Sequence, residues 1–435
     1  MKIIKSNIIN SKLTDILIFY KDSITININN NIKYLIKVQD ILGASNAIVY
    51  NINLFMNDTF YKDKYCLKLA PGGTINLNNN KINFINTHSN YFIKVLYFQK
   101  NIILDKPFVL FGKEWEDFDL LIMEKVDTTL EAVCDKLKHY QYINENVLEC
   151  LLSKLLMLSF LMQDNNYYYL DIKPANIGII KNGNESVFKL IDVDSLMTIH
   201  DKIIITNYTS GFITKESSSN DRLFISQIFT VFYAIFAILF NDKFNLMCDS
   251  NFLIYNKDYM LIKMFESIEQ TLALKCSQYK YIILIASCIL GTQYLNAKNI
   301  DITTDTYDII INNADDFIQH LSNFLQQYFN ILTTFIAKII YSLFTLIVLT
   351  NQDKYHNNED QQKLLYKLFN NIFNINDVIN NEYYDTNTMI KINDIYRQHM
   401  NIGFIIVDSL YKYISQTCDK DCTNYIKMAN IIARH

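Results

Sequence analysis

Along the first 110 residues the apolar positions fall in short runs that alternate with polar ones and are broken by asparagine-rich turns; Ile24–Ile28, Ala47–Leu54, Tyr65–Leu69 and Phe108–Phe111 are examples. A period of two predicts half-buried strands, and the asparagine-rich stretch 77–90 predicts a loop. From about residue 129 the period changes. Between Asn144 and Met162 the apolar residues Val147, Leu148, Leu151, Leu152, Leu155, Leu156, Leu158 and Phe160 recur at helical spacing, and most of the chain after 220 keeps that rhythm. Strands followed by helices predict an α+β chain with the two classes segregated.

Two stretches approach the length of a membrane span. Residues 223–240 carry no charge, and residues 327–350 carry one, Lys338, near the middle. A central lysine costs a spanning helix about 2.5–3.5 kcal/mol. Phe335, Ile336, Ile339, Ile340, Leu343, Phe344 and Ile347 also form one helical stripe. Both stretches therefore predict buried helices, with membrane association the alternative for 327–350.

Composition narrows the class. The chain has 435 residues, half of them hydrophobic and 19% charged, with 9 Gly and 3 Pro, which excludes a disordered or collagen-like protein. A net charge of −4, with arginine at Arg222, Arg397 and Arg434 alone, offers no basic stripe, so no nucleic-acid partner is expected. The abundance of Asn, Ile, Tyr and Phe reads as the codon bias of an AT-rich genome, such as that of a virus or a protist. None of the eight cysteines forms a C-x-x-C pair; Cys418 and Cys422 are the close pair, and two ligands do not make a zinc site. Reduced thiols in a cytoplasmic protein are expected. The opening Met1-Lys-Ile-Ile-Lys-Ser has no apolar run of signal-peptide length, so secretion is not expected.

The chemistry concentrates in Tyr168-Tyr-Leu-Asp171-Ile-Lys173-Pro-Ala-Asn176, which follows a strong helix and precedes an apolar run, and in Phe188-Lys-Leu-Ile-Asp192-Val-Asp194. Phosphoryl transfer needs a carboxylate to accept a hydroxyl proton, a cation to steady the moving phosphate, and an amide with a second carboxylate to hold Mg²⁺. Asp171, Lys173, Asn176 and Asp192 supply these groups in chain order.

Asp171-Ile-Lys-Pro-Ala-Asn176 resembles the catalytic loop D-[LI]-K-P-x-N of the eukaryotic-type protein kinases. The resemblance implies that Asp171 is the catalytic base, that Lys173 steadies the phosphate and that Asn176 and Asp192 bind the metal. Lys68, in Tyr65-Cys-Leu-Lys68-Leu, resembles the V-A-I-K lysine that binds the α and β phosphates. Ile41-Leu-Gly43-Ala-Ser-Asn-Ala-Ile-Val49 resembles a glycine-rich loop that keeps its first glycine. There Gly43 would admit backbone to phosphate, and Val49 would cover the adenine. Phe118-Asp-Leu-Leu-Ile-Met123-Glu124-Lys125-Val126 resembles strand five and the hinge, with Met123 as gatekeeper and the backbones of Glu124 and Val126 on the adenine edge. Thr209–Glu216 resembles the end of an activation segment, and Asp221 the acid that precedes the most buried C-lobe helix.

By this resemblance the fold is a bilobal protein-kinase-like α+β. Residues 1–126 form a β-rich N-lobe with the nucleotide-binding sheet and hinge, 127–300 a helical C-lobe with the catalytic loop, and 301–435 a helical extension. The implied activity is transfer of the γ-phosphate of ATP, with Mg²⁺ or Mn²⁺, to serine or threonine of protein substrates. Lys173, two residues after Asp171, favours Ser/Thr over tyrosine. The style resembles that of divergent kinases of large DNA viruses, which implies host cytoplasm or virion if the protein is viral. A pseudokinase is the alternative, and a small-molecule kinase a more distant one.

Three departures bear on mechanism. Between Leu69 and Asn101 there is no Asp or Glu to serve as the C-helix acid; His-Arg-Asp becomes Tyr169-Leu170-Asp171; and Asp-Phe-Gly becomes Asp192-Val193-Asp194. An unpaired buried ammonium is costly, so Lys68 is expected to borrow a carboxylate, with Asp192 the best donor.

Overall fold

The computed structural model describes residues 2–5, 16–20, 23–28, 32–44, 47–57, 59–110, 113–137, 141–198, 201, 220–239, 278–301, 306–350, 358–377, 384–385, 389–392 and 402–417. The chain is α+β, as the periodicities predict, with an antiparallel sheet in its N-terminal part and helices in its C-terminal part. It divides into two compact units. One comprises Met1–Thr128, Gly178–Ile180 and Phe188–Met197; the other comprises Thr129–Ile177, Lys181–Val187 and Thr198–His435.

The first unit is built on β1 (Lys2–Lys5), β2 (Ile16–Tyr20), β3 (Ser23–Ile28), β4 (Ile32–Ala44), β5 (Ile48–Met56), β6 (Thr59–Pro71), β7 (Val95–Leu110) and β8 (Lys113–Glu124). They form one antiparallel sheet in the order β1-β2-β3-β4-β5-β6-β8-β7, curled far enough to bring β1 near β7. Residues two apart, such as Ile24 and Ile26, Ile52 and Leu54, or Leu120 and Ile122, bury one face in a common core with Ile36 and Leu67. Several strands outrun the short apolar runs of the sequence. Bulges between Val38 and Ile41 and between Gln99 and Ile102 break the alternation while pairing continues.

The stretch 77–90, expected as a loop, instead contains a helix, α1 (Asn79–Thr87). Asn78 caps it by accepting a hydrogen bond from Lys81 N at 2.9 Å. Phe84 and Ile85 bury its inner face, and Asn86 both donates to Val95 O and accepts from Val95 N at 2.9 Å, tying the helix to β7. Tertiary packing overrides the poor helix propensity of asparagine here.

A second device organises the turns. Asp119 on β8 is wholly buried and accepts from Gly73 N at 3.1 Å, Ile75 N at 2.9 Å and Asn101 N at 2.8 Å. Gly73 (φ 76°) and Asn101 (φ 49°) lie in the left-handed region, where glycine and asparagine are tolerated best.

Further short strands are β9 (Thr128–Thr129), β10 (Gln141–Ile143), β11 (Tyr167–Tyr169), β12 (Ile177–Asn182), β13 (Glu185–Leu190), β14 (Leu196–Thr198), β15 (Tyr384–Asp385) and β16 (Ile390–Ile392). Within the second unit β10 pairs with β16 and β13 with β15. Its described helices are α2 (Leu130–Lys136), α3 (Glu145–Asp164), α4 (Asn220–Leu239), α5 (Gln278–Ala297), α6 (Thr306–Asn312), α7 (Ala314–Leu325), α8 (Thr333–Thr350), α9 (Asn358–Phe373) and α10 (Ile402–Thr417).

The two apolar stretches become α4 and α8, both buried along nearly their whole described length. Lys338 pairs with Glu149 of α3 and lies 5.9 Å from the ring centroid of Phe373, so the lone charge of α8 is answered inside the unit. Gly291 of α5 admits α8, since a Cβ there would fall 2.3 Å from Phe344 Cγ. Ser153 Oγ donates to Phe373 O at 3.0 Å, and Phe160 packs on Tyr366 and Phe369, which binds α9 to α3. Among the described residues no helix is long and apolar enough to cross a membrane.

Replacing Asp119 by Ala leaves three backbone N–H groups without their acceptor, and urea unfolding of the Asp119→Ala protein is expected to show a loss of about 2–4 kcal/mol.

Candidate active site

Strand register assembles the first group of candidate residues. On β6, Lys68 pairs with Val49 of β5 and Leu121 of β8, and Cys66 pairs with Met123. Paired residues share a face, so Val49, Cys66, Lys68, Leu121 and Met123 lie on one side of the sheet. Leu67 and Ile122 point into the aliphatic core on the other. Gly43 of β4 pairs with Val49, and a Cβ at Gly43 would meet nothing within 4 Å. The backbone there is open to close approach.

The Lys68 ammonium does find Asp192, at 3.0 Å from Oδ1, as the missing helix acid led us to expect. It also meets a carboxylate the sequence reading did not assign to it: Asp194 takes it with both oxygens, at 2.7 and 2.9 Å. Ser195 Oγ donates to Asp192 Oδ2 at 2.8 Å. Burial by itself would pull the Lys68 ammonium down, but the charges of Asp194 and then Asp192 outweigh it and hold Lys68 above the ordinary lysine value. Burial works to raise Asp192, yet Lys68 and the Ser195 hydroxyl keep it below the ordinary carboxylate value. Burial and the neighbouring Asp192 charge push Asp194 up to about 6 against the pull of Lys68. The Cys66 thiol, on the same face, is raised to about 12 by burial; it is inert packing, not a nucleophile.

The end of β8 is firmly tied. Glu124 N donates to Lys94 O at 2.8 Å and Lys125 N to Lys64 O at 3.0 Å, while the Glu124 carboxylate accepts from Lys189 Nζ at 2.9 Å and Lys94 N at 3.1 Å. Among the described residues the Val126 N–H takes no backbone partner. Val126 packs over Gly178: a Cβ on Gly178 would lie 2.5 Å from Val126 Cγ1 and 2.4 Å from Ile191 Cγ2. Gly178 thus lets the segment after Met123 and the segment before Asp192 close on each other. The sequence showed this glycine two residues past Asn176 but nothing of what it faces.

The second group lies in the other unit. Asp171 is buried, with Lys173 Nζ at 2.9 Å from Oδ2. Asn176 Nδ2 donates to Asp171 O at 2.9 Å and to Asp171 Oδ2 at 2.8 Å. Pro174–Asn176 form a single 3-10 turn, closed by Asn176 N to Lys173 O at 2.9 Å, which folds the three side chains together. Among the described residues Asn176 Oδ1 takes no hydrogen bond, which leaves a hard oxygen ligand beside the Asp171 carboxylate. The loop is held from below by α4. Gln227, fully buried, accepts from Tyr169 N at 2.8 Å through Oε1. Among the described residues Gln227, hidden in a largely apolar run, grips the loop backbone, a contact that sequence reading did not assign. Thr209–Glu216, the side chain of Asp221, and the Cys418 and Cys422 pair lie outside the described residues.

The structure therefore joins Lys68 with Asp192 in one unit and Asp171, Lys173 and Asn176 in the other. No protein-family model matches the sequence, and no curated protein matches it. Among solved structures the chain is similar to vaccinia related kinase 3, at 10% identity and a TM-score of 0.35, over 49% of this chain and 67% of that one.

A methyl group on Gly178 has no space between Val126 and Ile191, so Gly178→Ala is expected to cost about 1–3 kcal/mol by overpacking, read as a lowered midpoint in urea unfolding.

Proposed function

We propose that this protein is a divergent protein kinase, transferring the γ-phosphate of ATP to protein serine and threonine hydroxyls with Mg²⁺ or Mn²⁺. The observation that carries the reading is the meeting of Lys68 and Asp192 at 3.0 Å, 124 residues apart in sequence, on a sheet face lined by Val49 and Met123. A strand lysine for phosphates and a carboxylate for metal are the pair that phosphoryl transfer requires on the nucleotide side. On the acceptor side Asp171, Lys173 and Asn176 share one tight turn.

In this reading Val49 covers the adenine, Met123 limits the depth of its pocket, and the backbones of Glu124 and Val126 meet its edge. Gly43 brings backbone to the phosphates and Lys68 holds the α and β phosphates. By the resemblance Asp192, in the first unit, and Asn176, in the second, would each lend an oxygen ligand to a hard divalent cation. When bound, that cation neutralises charge on the transferring phosphate. Asp171 accepts the hydroxyl proton of the substrate, and Lys173 moves from Asp171 to the departing phosphoryl group. Lys173 at this position also supports Ser/Thr as acceptors.

The lack of an acid in α1 favours a second reading, a pseudokinase that binds nucleotide without transferring phosphate. Transfer from γ-labelled ATP, to the protein itself or to a generic basic substrate, decides between the two.

Asp171→Asn is expected to abolish transfer while leaving ATP affinity nearly unchanged, because this carboxylate serves the acceptor proton. Retention of most activity by that variant would show that the catalytic-loop assignment is wrong. Asp192→Asn is expected to weaken Mg²⁺-dependent ATP binding and turnover together. Thermal-shift titration with ATP, with and without Mg²⁺, checks this; an unchanged metal-dependent shift counts against a metal role for Asp192.

A further inference from the structure

Helix α1 follows the Lys68 strand and precedes the Met123 strand, where the resemblance puts the acid that partners the lysine, yet it carries neither Asp nor Glu. Lys68 is nevertheless well supplied with carboxylate. Asp194 clamps its ammonium with both oxygens at 2.7 and 2.9 Å, closer than the single contact of Asp192 at 3.0 Å. The backbone explains how two acids reach one ammonium. Val193–Ser195 is a single 3-10 turn, closed by Ser195 N to Asp192 O at 3.0 Å, and it folds residue 194 back beside residue 192. Ser195 then occupies the second oxygen of Asp192 at 2.8 Å, leaving Asp194 the two-oxygen contact.

We propose that Asp194 is the positioning residue for Lys68, taking over from the absent helix acid and holding the ammonium toward the nucleotide while Asp192 serves the metal. The inference rests on the kinase reading above and deepens it. The charges divide naturally. One ammonium between two carboxylates leaves one negative charge in excess, so Asp192 would be free to serve a divalent cation while Asp194 keeps Lys68. A helix-borne acid makes the lysine pair depend on where the helix sits. Here both partners belong to β6 and the 192–195 segment of the same unit, and α1 supplies neither of them. A glycine at 194, which the resemblance would lead one to expect, leaves Lys68 with Asp192 alone.

The rival role for Asp194 is a second metal ligand, and a double-mutant cycle on the full chain separates the two. It reads kcat/KM for ATP at saturating Mg²⁺ and, separately, the Mg²⁺ concentration that gives half the maximal rate. Asp194→Asn is expected to lower kcat/KM about tenfold or more and Lys68→Met about a hundredfold, while adding Asp194→Asn to Lys68→Met costs nothing further, because residues acting as one unit are not additive. Asp194→Glu keeps the charge and is expected to recover to within about threefold of the unmodified protein, and half-saturating Mg²⁺ stays unchanged throughout. Independent losses that multiply in the double variant overturn the proposal, as does a defect confined to the Mg²⁺ requirement or an Asp194→Asn protein of undiminished activity. Should circular dichroism show Asp194→Asn unfolded, Asp194→Gly carries the same cycle, with Asp194→Glu as its rescue. An unmodified protein that neither binds ATP nor transfers phosphate sinks the kinase reading and this inference with it; an active protein with an additive cycle sinks this inference alone.

Discussion

One ammonium held between two carboxylates is the interaction on which the first unit turns. Lys68 stands on a sheet face among Val49, Cys66, Leu121 and Met123, with 13% of its side chain exposed. Taking that charge out of water is repaid only by close partners of opposite sign. Asp192 and Asp194 provide them from 124 and 126 residues away, and in doing so pin the Asp192 segment to β6. The rest of the unit makes this meeting repeatable. Asp119 locks the turn that follows β6, α1 is stapled to β7 through Asn86, and Gly178 lets Val126 and Ile191 close without a gap. The same arrangement is what ATP and a divalent cation require in the proposed reaction.

The second unit solves a different problem, that of holding a polar loop against an apolar interior. Asp171 and Asn176 are both buried, so each must find partners. They find each other and Lys173 within six residues, and Gln227 satisfies the backbone N–H of Tyr169 beneath them. Placing one glutamine in this buried helix costs burial of an amide, of which the bond from Tyr169 N offsets the share of the oxygen. The long helix α8 follows the same rule: its single charge, Lys338, is tolerated because Glu149 and the Phe373 ring receive it.

Several of these features were legible in the residues themselves. The change from a period of two to helical spacing near residue 129 foretold the sheet and the helices. The D-x-K-x-x-N spacing marked the loop, and the lack of any acid between Leu69 and Asn101 was enough to direct Lys68 to Asp192. Others left no such trace. The asparagine run at 77–90 looks like a loop because its propensity is poor; it is a helix because Phe84 and Ile85 are buried and Asn78 caps it. Asp119 looks like an ordinary strand acid until three backbone N–H groups converge on it. In Asp192-Val-Asp194 the second acid reads as a departure from a motif, and its grip on Lys68 appears only when the 3-10 turn is formed.

The sequence by itself determined the fold class, the identity of the α4 and α8 stretches as interior helices, and the residue types of the proposed chemistry. It could do so because periodicity, and motifs within a few residues, are local properties of the chain. Tertiary structure alone decided that Asp194 outreaches Asp192 at Lys68, that Gln227 supports the Asp171 loop, and that Gly178 is spaceless between Val126 and Ile191. Each of these is a contact between segments far apart in sequence. Its existence depends on distances of a few ångströms that no local pattern encodes.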